Sequence, residues 1–317
     1  MADEIYQPHD KLFRTVFSDS AEAASLLQAY LPEAISREFN WATLTLLDGT
    51  FVDEGLRESE SDLLYEIEHL SSHEPVWVYI LFEHQSSPDA WMRFRLLKYC
   101  CRIWDASFHD APGQLQLRPI LPLVFYQGHR RWHYSTEFAD LFPEMASAWP
   151  FIPRFAHTLI DQTEMEPGSV EGGLKGRILQ LLMMAAFDKY VAEAMERAAQ
   201  LAADLPPSGG INYIRLFVFY VMATQDRAGL RTFGEVLQRY GAEHGGEVMT
   251  YAQELLEAGR AEGEQRGKVE VIEGLLRVGV DWQVIEAGTG INEAQFRLLK
   301  QQLENTAEGE TPRHDGE

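Results

Sequence analysis

Val76-Trp77-Val78-Tyr79-Ile80-Leu81-Phe82-Glu83-His84-Gln85-Ser86-Ser87 is an apolar run that ends on a carboxylate and an amide two residues apart. Side chains on a strand alternate in direction, so Glu83 and Gln85 share one face and His84 takes the other. Upstream, Asp62 to Glu68 also reads as a strand. The connection His69-Leu70-Ser71-Ser72-His73-Glu74-Pro75 is turn-like. With the hairpin centred in Ser71–Glu74, Asp62 falls opposite Glu83, their Cβ atoms about 5 Å apart. Gln85 joins them on that face, so three oxygen-bearing side chains converge at one end of the hairpin. A slip of one residue would turn one strand's set to the far face.

Two carboxylates this close repel when both are ionised, unless a charge between them intervenes. A hard divalent cation with oxygen ligands supplies one. Such a cation polarises a phosphodiester and lowers the pKa of a bound water. Gln85 would orient the attacking water or the substrate phosphate, without the charge a lysine there would bring. The competing reading is a set of solvated polar residues at a sheet end, with Glu58, Glu60 and Glu66 as neighbouring acids that mimic the ligands.

Outward from the hairpin, His9 to Phe17 and Ala21 to Leu31 read as helices, the second ended by Pro32. Trp41 to Phe51 reads as a strand with a turn near Asp48-Gly49. Trp91 to Trp104 is a helix with Met92, Leu96, Cys100 and Ile103 on one stripe. Pro119 to Tyr126 is a buried-type strand ended by Gln127-Gly128. The order is helix, strand, strand, strand, helix, strand, an α/β core. Beyond it, Lys175 to Ala203 and Ile211 to Thr224 are helical, separated by Pro206-Pro207-Ser208-Gly209-Gly210. A polar helix past Glu247 carries Gly259, Gly263 and Gly267, and Asp281 to Leu303 reads as two short helices around Thr289-Gly290. The expected organisation is a core over residues 5–135, a helical extension packed on it over 136–245, a Gly-containing helix and helical hairpin over 246–303, and a disordered polar tail over 304–317. The glycine spacing reads either as a self-association seam, hence a homodimer, or as a frayed linker.

The chain has 317 residues, 45% hydrophobic and 11% aromatic, which places it among globular proteins. No apolar run reaches membrane-spanning length, and Met1-Ala2-Asp3-Glu4 is acidic with no apolar stretch behind it, so a cytoplasmic protein without membrane contact is expected. The two cysteines, Cys100 and Cys101, are adjacent, a poor geometry for a bridge. The net charge of -22 excludes a surface that is basic all over. Its distribution is uneven. Asp48 to Glu74 holds nine acids against Arg57, whereas Trp91 to His133 holds seven basic residues against Asp105 and Asp110. Arg95, Lys98 and Arg102 read as phosphate contacts or as a solvated helix face. Tyr99 reads as a core tyrosine or a group near the site. Arg130-Arg131-Trp132 reads as a basic-aromatic contact to DNA or a loop packed on the sheet. Asp281 to Leu303 has the length of a helix-turn-helix, but Arg297 and Lys300 are few cations for one.

In combination these segments resemble the Rpn family of recombination-promoting nucleases, also labelled YhgA-like transposases. The resemblance is carried by His9-Asp10-Lys11-Leu12-Phe13-Arg14 with Phe17, by Asp62-Leu63-Leu64-Tyr65, and by Leu81 to Ser87. Met92 to Tyr99 and Pro122-Leu123-Val124-Phe125-Tyr126-Gln127-Gly128 complete it. It implies a PD-(D/E)XK restriction-endonuclease-like core, αβββαβ with a mixed sheet, followed by a mainly helical C-terminal region. It also implies DNA as partner and substrate, cleavage linked to recombination or mobile elements, and a divalent metal, magnesium first with manganese or calcium as alternatives. Carried over by position, Asp62 and Glu83 would be metal ligands, and Gln85 stands where most of that superfamily has lysine and this family commonly has glutamine. Asp10 would be an auxiliary acid, or simply a helix N-cap. No D-D-E constellation of a transposase is recognisable. A nuclease fold with weak catalysis, used to bind DNA or another protein, is the alternative that Gln85 and the net charge suggest.

Overall fold

The computed structural model describes residues 8–47, 62–83, 87–110, 115–146, 149–205, 213–225 and 291–298, with single positions between 232 and 300. Gln85, His84, the Asp48-Gly49 turn, Glu58, Glu60, the Pro206 loop, the three glycines at 259, 263 and 267, and the 304–317 tail lie outside the described residues. By contact density the chain divides into two compact units, Gln7–Val248 and Met249–Glu317 with Met1–Tyr6. In the second, Val269, Ile272 and Phe296 form a small apolar cluster with Leu276, Trp282 and Ile291 against it. No described helix is long and apolar enough to cross a membrane.

The larger unit is an α/β fold around a five-stranded mixed sheet. Helices α1 (Pro8–Phe17), α2 (Ser20–Tyr30) and α3 (Glu33–Ser36) lead into β1 (Phe39–Leu46), β2 (Leu63–His69) and β3 (Pro75–Glu83). Helix α4 (Met92–Asp110) crosses to β4 (Ile120–Tyr126), and β5 (Thr158–Asp161) follows. The strand order is β1-β2-β3-β4-β5. The first three strands are antiparallel neighbours, and β3, β4 and β5 are parallel. β1 is bulged between Asn40 and Thr45.

Each face of the sheet is covered because both are apolar, as the continuous burial of β3 from Val76 to Glu83 requires. On one face α1 lays Leu12, Phe13, Val16 and Phe17, an i, i+1, i+4, i+5 stripe, and all four are buried. Phe13 stacks on Phe82 at 4.3 Å and meets Phe125 edge-on at 5.1 Å. On the other face α4 lays Met92, Leu96, Tyr99 and Ile103 against Leu64, Trp77, Tyr79, Leu81, Val124 and Tyr126. Helix α5 (Leu174–Ala186) packs on α1, α2, α6 (Val191–Ala203) and α7 (Tyr213–Thr224). The expected single helix over Lys175–Ala203 is two. The break carries left-handed backbone at Asp188 (φ 58) and Tyr190 (φ 47), a conformation no helix continues through.

The hairpin register differs from the expected one. Leu63 pairs with Ile80 and Tyr65 with Val78, so Glu83 lies two residues beyond the position opposite Asp62. The loop is Leu70–His73, one residue earlier than the assumed centre. His69 and Glu74 close it, with His69 N–H bonded to Glu74 C=O (3.0 Å) and His73 turned left-handed (φ 57). Moving the centre by one residue moves every partner by two. Two is the period of a strand, so Asp62 and Glu83 keep the same face, as diagonal rather than direct neighbours.

Candidate active site

Asp62 stands just before β2 and Glu83 ends β3, both on the face covered by α4. Tyr79, two strand positions before Leu81 on that face, donates its hydroxyl to Asp62 Oδ2 at 2.7 Å. Asp62 Oδ1 is buried and has no hydrogen-bond partner. Burial pushes the Asp62 carboxyl up to a pKa of about 7, against the Tyr79 hydrogen bond, the charge of Arg95 and the nearby Phe82 backbone N–H, which lies outside good hydrogen-bond geometry to Oδ1, while Glu83 adds to the rise. The same contact and burial hold the Tyr79 hydroxyl far above its ordinary range. Tyr79 was not among the sequence-predicted site residues. Strand alternation from Glu83 through Leu81 to Tyr79 is the signal that finds it.

Glu83 is 3% exposed. Burial raises its pKa. Arg95 opposes the rise by charge and hydrogen bond, and Asp89 and Asp10 add to it. Arg95 Nη1 donates to Glu83 Oε2 at 2.9 Å and to Asp89 Oδ2 at 3.1 Å. Asp89 also caps the start of α4, accepting the Trp91 N–H on Oδ1 at 2.8 Å. Arg95, read from the sequence as a phosphate contact or a solvated helix face, is held here between Glu83 and Asp89. Helix α4 opens at Met92, and its first turn places Arg95 against the end of β3. Lys98 and Arg102, the other two DNA-contact candidates, are exposed on α4.

Much of the basic segment is likewise committed. Arg93 is buried and donates to Glu137 C=O (3.1 Å), Arg118 pairs with Glu66 across the Trp77 ring, and Arg131 pairs with Glu164 at 2.7 Å. Trp132 is buried in the α4-side core and its N–H is held by Asp161 at 3.1 Å, so the Arg130-Arg131-Trp132 loop is packed on the sheet. Tyr99 is buried 5.7 Å from the Tyr79 ring and helps hold Arg95 in its charged form.

Asp10 is not an N-cap. Helix α1 begins at Pro8, so Asp10 lies inside its first turn, 3% exposed, with its charge bearing on Glu83. The first-helix acid, the β2 acid and the β3 acid thus gather at the end of the sheet where parallel β3 and β4 finish. Among the described residues, no three His, Cys, Asp or Glu side chains are arranged as a ready metal cage. The chemistry of the donor set still suits a hard cation: a buried carboxylate oxygen with no partner, and a second carboxylate on the same face.

The family described as "Putative transposase, YhgA-like" matches residues 7–207, and the chain belongs to it. Over 304 residues it is 28% identical to the recombination-promoting nuclease RpnA of Escherichia coli (strain K12), covering 93% of this chain and 97% of that protein. Over 296 residues it is 25% identical to the inactive recombination-promoting nuclease-like protein RpnE of the same strain, covering 91% and 96%. RpnD of Escherichia coli O157:H7 is 24% identical over 250 residues, 78% of this chain and 94% of that protein. No solved structure matches.

Proposed function

We propose that this chain is a divalent-cation-dependent DNA endonuclease of the PD-(D/E)XK kind, acting in recombination or mobile-element processes, with magnesium as the first-choice cation. The observation that carries the reading is Asp62 and Glu83 on one sheet face at the strand ends, with Asp62 Oδ1 buried and unpartnered. Family membership and relatives named as nucleases support it. When bound, the cation polarises the phosphodiester and makes its water a nucleophile near neutral pH. Asp62 and Glu83 would hold it. Tyr79 fixes the Asp62 carboxylate by its second oxygen. Arg95 already reaches Asp89 as well as Glu83, so its charge stays paired when Glu83 turns to another partner. Gln85 keeps the orienting role that the sequence suggests. Lys98 and Arg102 would meet the backbone of the bound strand.

A second reading has its own observation. The Arg95–Glu83 ion pair occupies one of the two carboxylates, which suits a nuclease fold that binds DNA or protein without cutting, and RpnE is named inactive. Plasmid nicking separates the two. In magnesium or manganese, Asp62→Ala and Glu83→Ala should each cut at least about a hundredfold more slowly than the parent chain. Asp62→Ala leaves the buried Tyr79 hydroxyl without its acceptor and Glu83→Ala takes one carboxylate from Arg95, so each should unfold below the parent's temperature, and circular dichroism at the assay temperature checks that both are folded. Nicking at the parent's rate by both variants rejects this site. Salt-sensitive DNA binding with no nicking by the parent under any cation selects the second reading.

A further inference from the structure

We propose that Gln127 is a substrate-contacting residue of the same site, its carboxamide set between a phosphodiester oxygen and the hydration shell of the bound cation. The inference rests on the nuclease reading above. Gln127 directly follows β4, and its backbone N–H donates to the Glu83 carbonyl at 2.9 Å, so it stands beside the last residue of β3. Because β3 and β4 are parallel, their carboxyl ends meet here, the end of an α/β sheet where ligands bind. Alternation puts Gln127 on the same side as Phe125, which packs on Phe13 of α1. One helical turn before Phe13 stands Asp10, whose charge bears on Glu83. Gln127 therefore closes the site from the α1 side, as Asp62 and Tyr79 bound it from the α4 side.

The Gln127 side chain is 0% exposed, and neither Oε1 nor Nε2 has a hydrogen-bond partner. A buried amide left bare at both ends is costly, whereas an apolar group of the same shape in its place is nearly neutral or stabilising. The two vacancies are chemically opposite. Nε2 needs an acceptor, and Oε1 needs a donor. An ordered water could also meet both needs, and unchanged calcium-dependent binding by Gln127→Met would mark it. A phosphodiester offers only acceptors and a hydrated divalent cation only donors, so either alone fills half the amide. A phosphodiester held on a hydrated cation fills both. Among the described residues His157, also without a partner of good geometry on either ring nitrogen, sits against Trp132 in the α4-side core near the Thr136 carbonyl. Gln162, also buried, already donates to Gln180 at 3.0 Å.

Gln127→Met, close in shape and apolar, tests this with two independent readouts. Thermal unfolding without metal or DNA should occur at or above the parent's temperature. Anisotropy of a labelled duplex oligonucleotide in calcium should show calcium-dependent binding weakened roughly tenfold, with calcium-free binding unchanged. Nicking in magnesium should fall by at least a similar factor. A clear drop in unfolding temperature would show a structural partner and overturn the proposal, as would unchanged calcium-dependent binding. If Asp62→Ala and Glu83→Ala abolish nicking while Gln127→Met does nothing, only this inference fails. If those two variants nick normally, the nuclease reading itself fails.

Discussion

On the α1 side of the sheet, Phe13, Phe17, Phe82 and Phe125 form one aromatic stack with no titratable group inside it. On the α4 side, the same strands carry Asp62 on Tyr79, Glu66 on Trp77 and Arg118, Glu83 on Arg95, and a neutral buried His157 near Trp132. One sheet thus has a mainly aromatic face, with Asp10 at its edge, and a face that carries its ion pairs. The difference teaches where stability and function are separately tunable. The aromatic face sets how firmly β3 and β4 are held, and the ion-paired face sets what their ends do and how the fold answers pH.

The largest expected effect breaks the aromatic face. Phe13→Ala removes the ring stacked on Phe82 and should cost about 3–5 kcal/mol in urea denaturation. That loss should be the same at pH 7 and pH 5, since nothing it touches titrates. The next sharpens the ion-paired face. Burial in the core pushes His157 down to a pKa of about 4, with Arg93 adding to the shift. The folded imidazole stays neutral while the unfolded one takes up a proton, so stability present above pH 6.5 drains away as pH falls toward 4. The loss is on the order of 3 kcal/mol. His157→Leu should flatten that acid limb in denaturation curves taken between pH 7 and 4, and an unchanged limb rejects the assignment. The smallest effect lies outside both faces. Burial alone would raise the Asp19 pKa, but its bonds to Lys175 (2.7 Å) and to the Ala21 N–H outweigh this and hold it low. Its contribution is present above pH 3.8 and lost as pH falls through the lowered value. Asp19→Asn keeps the cap and removes the charge, and it should cost under about 1 kcal/mol at pH 7, shrinking with salt.

The strands and helices of the core were legible because their periods are: α1, α2, β2, β3 and β4 lie within two or three residues of where alternation and helical stripes put them. The pairing of Asp62 with Glu83 on one face survived a wrong loop centre only because the error was a whole strand period. Strand β5 was missed because Thr158–Asp161 is four residues long, too short to show a pattern. The pairing of Arg95 with Glu83 and Asp89 was not legible, because its spacing to Lys98 and Arg102 looks like one cationic face. What decides its direction is the pair of carboxylates, Glu83 and Asp89, that the fold sets beside it, a tertiary fact. Gln127 carried no sequence signal beyond ending a strand before a glycine. Its meaning appears only when burial and missing partners are known together.

The outer strands have a consequence for how copies of this protein can meet. β1 is kinked by its bulge and β5 is a four-residue stub, so neither rim offers the long, flat ladder on which a second sheet would grow. A chain so rich in continuous apolar strand needs such blunted rims to stay unaggregated at the concentrations of a living cell. At these two described rims, pairing between copies through backbone ladders is disfavoured, and a substitution that straightened β1 would be expected to trade solubility for fibres.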